Sequence, residues 1–95
     1  MQLLDENRRL SEQDSGPFLE VATLYDAGDG TFVLELEAGY SAPFDEVRYS
    51  LASRPARSLA EVFSFDAYIE PLDDQSKMLS KDLGVPVTWL ENSDD

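Results

Sequence analysis

Carboxylates are the only abundant reactive groups in this chain. Twenty Asp and Glu stand against seven Lys and Arg, with no His and no Cys, so the net charge near pH 7 is 7 − 20 = −13. Thiolate nucleophiles, imidazole general bases, disulfide staples and Cys/His zinc sites are thereby excluded. Two kinds of chemistry remain. Paired carboxylates could move a proton or hold a cation, or the negative charge could itself be what a basic partner recognises.

The first kind finds little support in the spacing. Asp45-Glu46 and Asp73-Asp74 are adjacent pairs of the type that could hold Mg²⁺, yet neighbouring acids are common on solvated surfaces and read more simply as solubilising charge. Asp26-Ala27-Gly28-Asp29-Gly30 is superficially like a calcium loop, but it lacks the Asp-x-Asp-x-Asp-Gly spacing that such a loop needs. Its flanking alternation makes it a hairpin turn instead. No Gly-x-Ser-x-Gly elbow, phosphate-binding glycine loop or His-containing metal motif occurs. The sequence therefore predicts no catalytic activity, no metal and no cofactor.

The distribution of the acids says more. The 38 residues between Arg9 and Arg48 carry nine acids and no Lys or Arg: Glu12, Asp14, Glu20, Asp26, Asp29, Glu35, Glu37, Asp45 and Glu46. The 19 residues between Arg57 and Lys77 carry five more, Glu61, Asp66, Glu70, Asp73 and Asp74. Ordinary surfaces intersperse both signs, because a single-sign field costs self-repulsion in the compact state. On a strand, Glu35 and Glu37 would project from one face about 6.8 Å apart, close to two base-pair rises of about 3.4 Å each. Glu20, Asp26, Asp29, Asp45 and Glu46 would extend that patch, and Asp66, Glu70, Asp73 and Asp74 would form a second. The bland account of Glu35 and Glu37 is the polar face of an amphipathic strand. High-salt adaptation also selects acidic, Lys-poor surfaces, but one Trp, four Tyr and five Phe with a Leu-rich core fit it less well.

The elements that must position these groups follow from periodicity. Residues 1–16 are polar, with Leu3, Leu4 and Leu10 as spaced anchors, and read as a polar N-terminal arm or a short helix ending before Gly16-Pro17. Phe18–Tyr25 and Thr31–Ala38 alternate on either side of the Asp26–Gly30 turn and predict a hairpin, to which Glu46–Ala52 adds a third strand. Ser58-Leu59-Ala60-Glu61 has the spacing of a capping box, and Leu59, Val62, Phe65, Ile69 and Leu72 form a helical stripe, although residues 62–70 also alternate as a strand would. Pro71 ends that element. Asp74–Leu83 predicts a second helix capped by Gly84. Val85–Leu90 reads as a short strand, which Pro86 confines to a sheet edge. The expected fold is α+β: a small antiparallel sheet, a three-stranded meander plus a possible C-terminal edge strand, with one or two helices on one face. It would be a single domain over residues 17–92.

A protein at −13 is repelled by phosphates and anionic membranes, which predicts neither direct nucleic-acid binding nor membrane association. The start lacks a basic n-region and a hydrophobic stretch, and no apolar run exceeds three residues, so neither an export signal nor a span is predicted and the cytoplasm is the expected place. Two functions fit. One is a small acidic inhibitor that mimics nucleic acid and fills the basic channel of a nuclease, restriction enzyme, CRISPR surveillance complex or DNA-binding regulator. The other is an acidic protein-binding module, such as an immunity protein, antitoxin or chaperone, with Trp89, Tyr25, Tyr40, Tyr49 or Tyr68 as anchors. For Trp89 core burial is the simpler role. In size and charge the chain is similar to the small acidic antagonists of phages and mobile elements, which include DNA mimics and anti-CRISPR proteins; no diagnostic motif carries that resemblance. It implies a basic nucleic-acid-binding protein or ribonucleoprotein as partner, met by a monomer or small homo-oligomer.

Overall fold

The computed structural model describes residues 1–41, 43–55 and 68–90. These form five antiparallel strands in simple meander order, β1 (Gln2–Gln13), β2 (Gly16–Asp26), β3 (Phe32–Gly39), β4 (Asp45–Leu51) and β5 (Val87–Leu90), with one helix, α1 (Asp73–Leu83), inserted between β4 and β5. The fold is therefore mostly β, which corrects the expected three-stranded meander covered by one or two helices. The largest single difference is at the N-terminus. Residues 2–13 are neither an arm nor a helix but a strand paired with the whole of β2, from Gln2 opposite Asp26 to Gln13 opposite Gly16.

The physical reason lies in what an edge strand needs. With one neighbour only among the described residues, β1 can remain largely polar, and Leu3, Leu4 and Leu10 recur without the period of two that marks a half-buried strand. Gly16-Pro17 is not a helix stop. Gly16 takes φ 113°, a backbone conformation that costs an L side chain dearly, and so lets the chain reverse into β2.

The β2–β3 hairpin is as the alternation predicts. Asp26 Oδ1 accepts the Gly28 amide at 2.8 Å, and Asp29 Oδ1 accepts the Thr31 amide at 3.0 Å. The core lies on one side of the sheet and combines Ala22 and Leu24 of β2, Leu34 and Leu36 of β3, Val47, Tyr49 and Leu51 of β4, and Tyr68, Leu79, Leu83 and Val85. Cross-strand pairing sets these residues in rows, Ala22–Leu36–Val47 and Leu24–Leu34–Tyr49–Trp89.

Helix α1 begins at Asp73, one residue before the predicted start, with Leu72 as its N-cap, and ends where Gly84, left-handed at φ 76°, donates its amide to the Ser80 carbonyl. Asp73 and Asp74 occupy its first turn, where carboxylates favour the positive end of the helix dipole. The predicted capping box and most of the first predicted helix fall on residues 56–67, outside the described residues. The described end of that segment, Tyr68–Leu72, is turn and extended chain rather than helix. Among the described residues strand β5 pairs with β4 alone, at the sheet edge. Among the described residues no helix is long and apolar enough to cross a membrane.

Candidate functional site: an acidic sheet face and a tryptophan cleft

The face of the sheet opposite the core carries the acids in two cross-strand rows. One runs Glu6–Thr23–Glu35–Arg48 and the other Arg8–Val21–Glu37–Glu46. Four carboxylates against two guanidinium groups leave these rows at 2 − 4 = −2. Arg48 sits between acids: its Nε lies 3.0 Å from Glu35 Oε2 and its Nη2 3.0 Å from Glu46 Oε1. These contacts, the Glu35 hydrogen bond first, hold its guanidinium more firmly protonated than usual.

Glu37 shares its row with Arg8, whose charge acts on it only weakly, and makes no salt bridge among the described residues. It stands directly across from Glu46, the arrangement in which like charges destabilise a strand pair. Partial burial, then the charges of Glu46 and Glu35 and a hydrogen bond shared with Glu46, raise its carboxyl above the ordinary carboxylate range. The same field reaches Tyr25, whose hydroxyl is raised by partial desolvation first and then by Glu35, Glu6 and Glu37. Glu35, Glu37 and Glu46 each place a carboxylate oxygen within 4.8 Å of the others. The three therefore converge around Arg48 and do not reproduce the evenly spaced row that strand rise alone predicts.

A raised carboxyl means that ionised Glu37 weighs against the folded state at neutral pH, and that this burden lifts as the pH falls through the folded value. Glu37→Gln is expected to stabilise the protein at pH 7 by roughly 0.5 kcal/mol. The advantage should vanish below the ordinary value of 4.5, where folded and unfolded chains are both protonated. Urea melts of both proteins at pH 7 and pH 4 check this, and an advantage that grows on acidification would contradict it.

The other predicted site residues are dispersed. Glu20 pairs with Ala38 and Arg9, so it faces the core side, and its carboxylate is buried under the Arg9 guanidinium at 2.5 Å. Asp26 and Asp29 are engaged in the hairpin turn, and hydrogen bonds from the Thr31 hydroxyl and amide hold the Asp29 carboxyl below its usual range. Asp66 lies outside the described residues. Asp45, Glu70, Asp73 and Asp74 are exposed.

Asp45, Glu70 and Asp73 lie near a residue expected in the core. Trp89 is 37% exposed. It lines a cleft of about 510 Å³ together with Asp45, Glu46, Ile69 and Glu70. It also lines a second cleft of about 420 Å³, which runs between α1 and β5 past Asp73, Ser76, Lys77 and Thr88. Ser76 Oγ is buried on this second wall with no hydrogen-bond partner among the described residues. Leu72 and Leu90 are also exposed. An aromatic side chain lining two clefts, an unsatisfied hydroxyl and a rim dominated by carboxylates can grip a protein surface that is basic at its edge and apolar at its centre. Sequence reasoning weighed Trp89 as an anchor but favoured its burial, because the apolar alternation of Val85–Leu90 signals a core strand, whereas an edge strand leaves a large side chain incompletely covered.

No family model matches the chain, and neither a curated protein nor a solved structure matches it.

Proposed function

We propose that this chain is a small acidic binding protein that docks onto a basic protein partner through Trp89 and the acids around it. The observation that carries this reading is the coincidence of the exposed indole with acids that make no salt bridge among the described residues: Asp45, Glu70 and Asp73 rim the two clefts that Trp89 lines, with Glu46 at the margin of the first. The indole supplies desolvated contact area, and the carboxylates steer a cationic surface toward it. The convergent Glu35, Glu37 and Glu46 on the opposite face add to the field that draws such a partner in.

In its finer form, the partner's surface is one that otherwise holds nucleic acid, and the chain inhibits by occupying it. The excess of thirteen negative charges on a fold-held scaffold supports that form, since it offers a cationic channel the charge of a duplex without the cost of ordering a flexible tail. The convergence of the acid trio argues for a match of charge more than of phosphate spacing. Dedicated modules of the immunity-protein or antitoxin kind are the second form, favoured by the aromatic anchor.

Affinity capture from a bacterial lysate at low and high salt, with partners identified by mass spectrometry and challenged with duplex DNA, tests both. A nucleic-acid-binding partner that DNA displaces is the result expected for the inhibitor. A salt-resistant partner indifferent to DNA would replace it with the dedicated module, and recovery of no basic partner would overturn the reading altogether.

A further inference from the structure

Among the described residues, strand β1 is paired on one side only, along twelve residues with no proline. Such an edge offers a row of unpaired backbone donors and acceptors to any other strand, and folded proteins usually blunt it with charged side chains, proline or a bulge. Here the charges repel a generic strand but admit one whose charges complement them. The register shift lies at one end, between Leu3 and Asp5, and the centre of the strand reads Asp5-Glu6-Asn7-Arg8-Arg9. Acids precede Asn7 and bases follow it at matching distances.

We propose that β1 pairs antiparallel with β1 of a second copy of this chain, about a two-fold axis through Asn7, to give a continuous ten-stranded sheet. In this register Glu6 of each copy faces Arg8 of the other, and Asp5 faces Arg9. The side chains agree with it. Glu6 and Arg8 share the acidic face through their pairing with Thr23 and Val21, and Asp5 and Arg9 share the core side through Leu24 and Glu20. A two-fold axis perpendicular to the sheet keeps each face on its own side, so both ion pairs form between residues on the same face. Arg9 already holds Glu20, and its side chain is 57% exposed. Leu3 and Leu10, 55% and 63% exposed, lie toward opposite ends of β1, so Leu10 of each copy meets the Leu3–Leu4 end of the other.

The net charge does not oppose this edge. Residues 2–13 carry two bases and three acids, 2 − 3 = −1, which leaves −13 − (−1) = −12 on the remainder. Two copies docked through β1 therefore bring little of the chain's negative charge into contact. Docked through β1, they set two acidic faces side by side and leave both Trp89 clefts at the far edges.

Charge exchange at positions 6 and 8 provides the test, read by sedimentation velocity and native mass spectrometry on the full chain. The parent is expected to dimerise. Glu6→Arg alone and Arg8→Glu alone each set like charges opposite one another twice per dimer, and each should weaken self-association by about tenfold or more. Mixing the two single variants should produce heterodimer, and the double variant carrying both changes should recover the parent's homodimer. If circular dichroism shows that either reversal disturbs the sheet, Glu6→Gln and Arg8→Gln replace them, with a smaller loss expected in each. A parent that stays monomeric at high concentration overturns the proposal, as does a dimer indifferent to the single changes or a mixture that forms no heterodimer.

Discussion

Replacing Tyr49 by alanine is expected to lower the unfolding free energy by about 4 kcal/mol, and replacing it by phenylalanine by about 1 kcal/mol. Tyr49 is fully buried at the middle of β4, with Leu34 and Trp89 beside it in register. The alanine variant loses the largest side chain of the core and leaves a cavity that three strands and α1 cannot close. Small domains hold only about 5–15 kcal/mol in reserve, so this variant should melt far below the parent. The phenylalanine variant keeps the ring and loses one bond, the hydroxyl donating to the Tyr68 carbonyl at 2.7 Å.

The two changes also differ with pH. Burial pushes the Tyr49 hydroxyl up to about 12 from 10.0, so the unfolded chain releases this proton before the folded one does. The stabilising contribution of the neutral phenol is complete below pH 10.0 and is lost as the pH rises toward about 12. Tyr49→Phe has no proton to lose there. Urea denaturation at pH 8 and pH 11 should show the gap between parent and Tyr49→Phe narrowing at the higher pH, and parallel pH profiles would contradict the assignment.

The sequence made part of this fold legible because some residues admit one reading. Phe32, Leu34 and Leu36 alternate with Val33, Glu35 and Glu37 around a turn of Asp and Gly, and no helix can satisfy that period. Gly84 after an apolar stripe marks a helix end for an equally local reason. Strand β1 was hidden because its strandness is not local: it rests on the backbone groups of β2, and of its side chains only Leu4 is among the apolar residues packed on the core.

The acidic patch was misjudged for a related reason. The cation-free stretch from residue 10 to residue 47 covers the β2–β3 hairpin, and the sheet places β1 and β4 on its two sides. Arg9 thereby reaches Glu20, and Arg48 reaches Glu35 and Glu46. Charges far apart in sequence become neighbours across the ladder, so linear segregation overstated segregation in space. Asp45, Glu70 and Asp73 were visible as acids, but nothing in the chain order shows that the meander and the α1–β5 return bring them to the clefts that one indole lines.

Trp89→Ala is expected to weaken binding to the basic partner by about thirtyfold or more, the loss of at least about 2 kcal/mol typical of a central aromatic anchor. Trp89 lines both clefts, so a partner that enters them must cover the ring, and its removal should act mainly on the dissociation rate. Asp45→Asn, Glu70→Gln and Asp73→Asn remove charge at the rim and should instead slow association, with an effect that fades as salt rises. The parent reports the event directly, because Trp89 is the single tryptophan of the chain and its emission should move to the blue when the partner covers it. Some stability is lost with the indole as well, so the comparison is made at temperatures where both proteins are folded by circular dichroism. An unchanged dissociation rate in folded Trp89→Ala, or an emission spectrum that the partner leaves in place, would move the contact away from this cleft and onto the opposite face, where Glu35, Glu37 and Glu46 gather around Arg48.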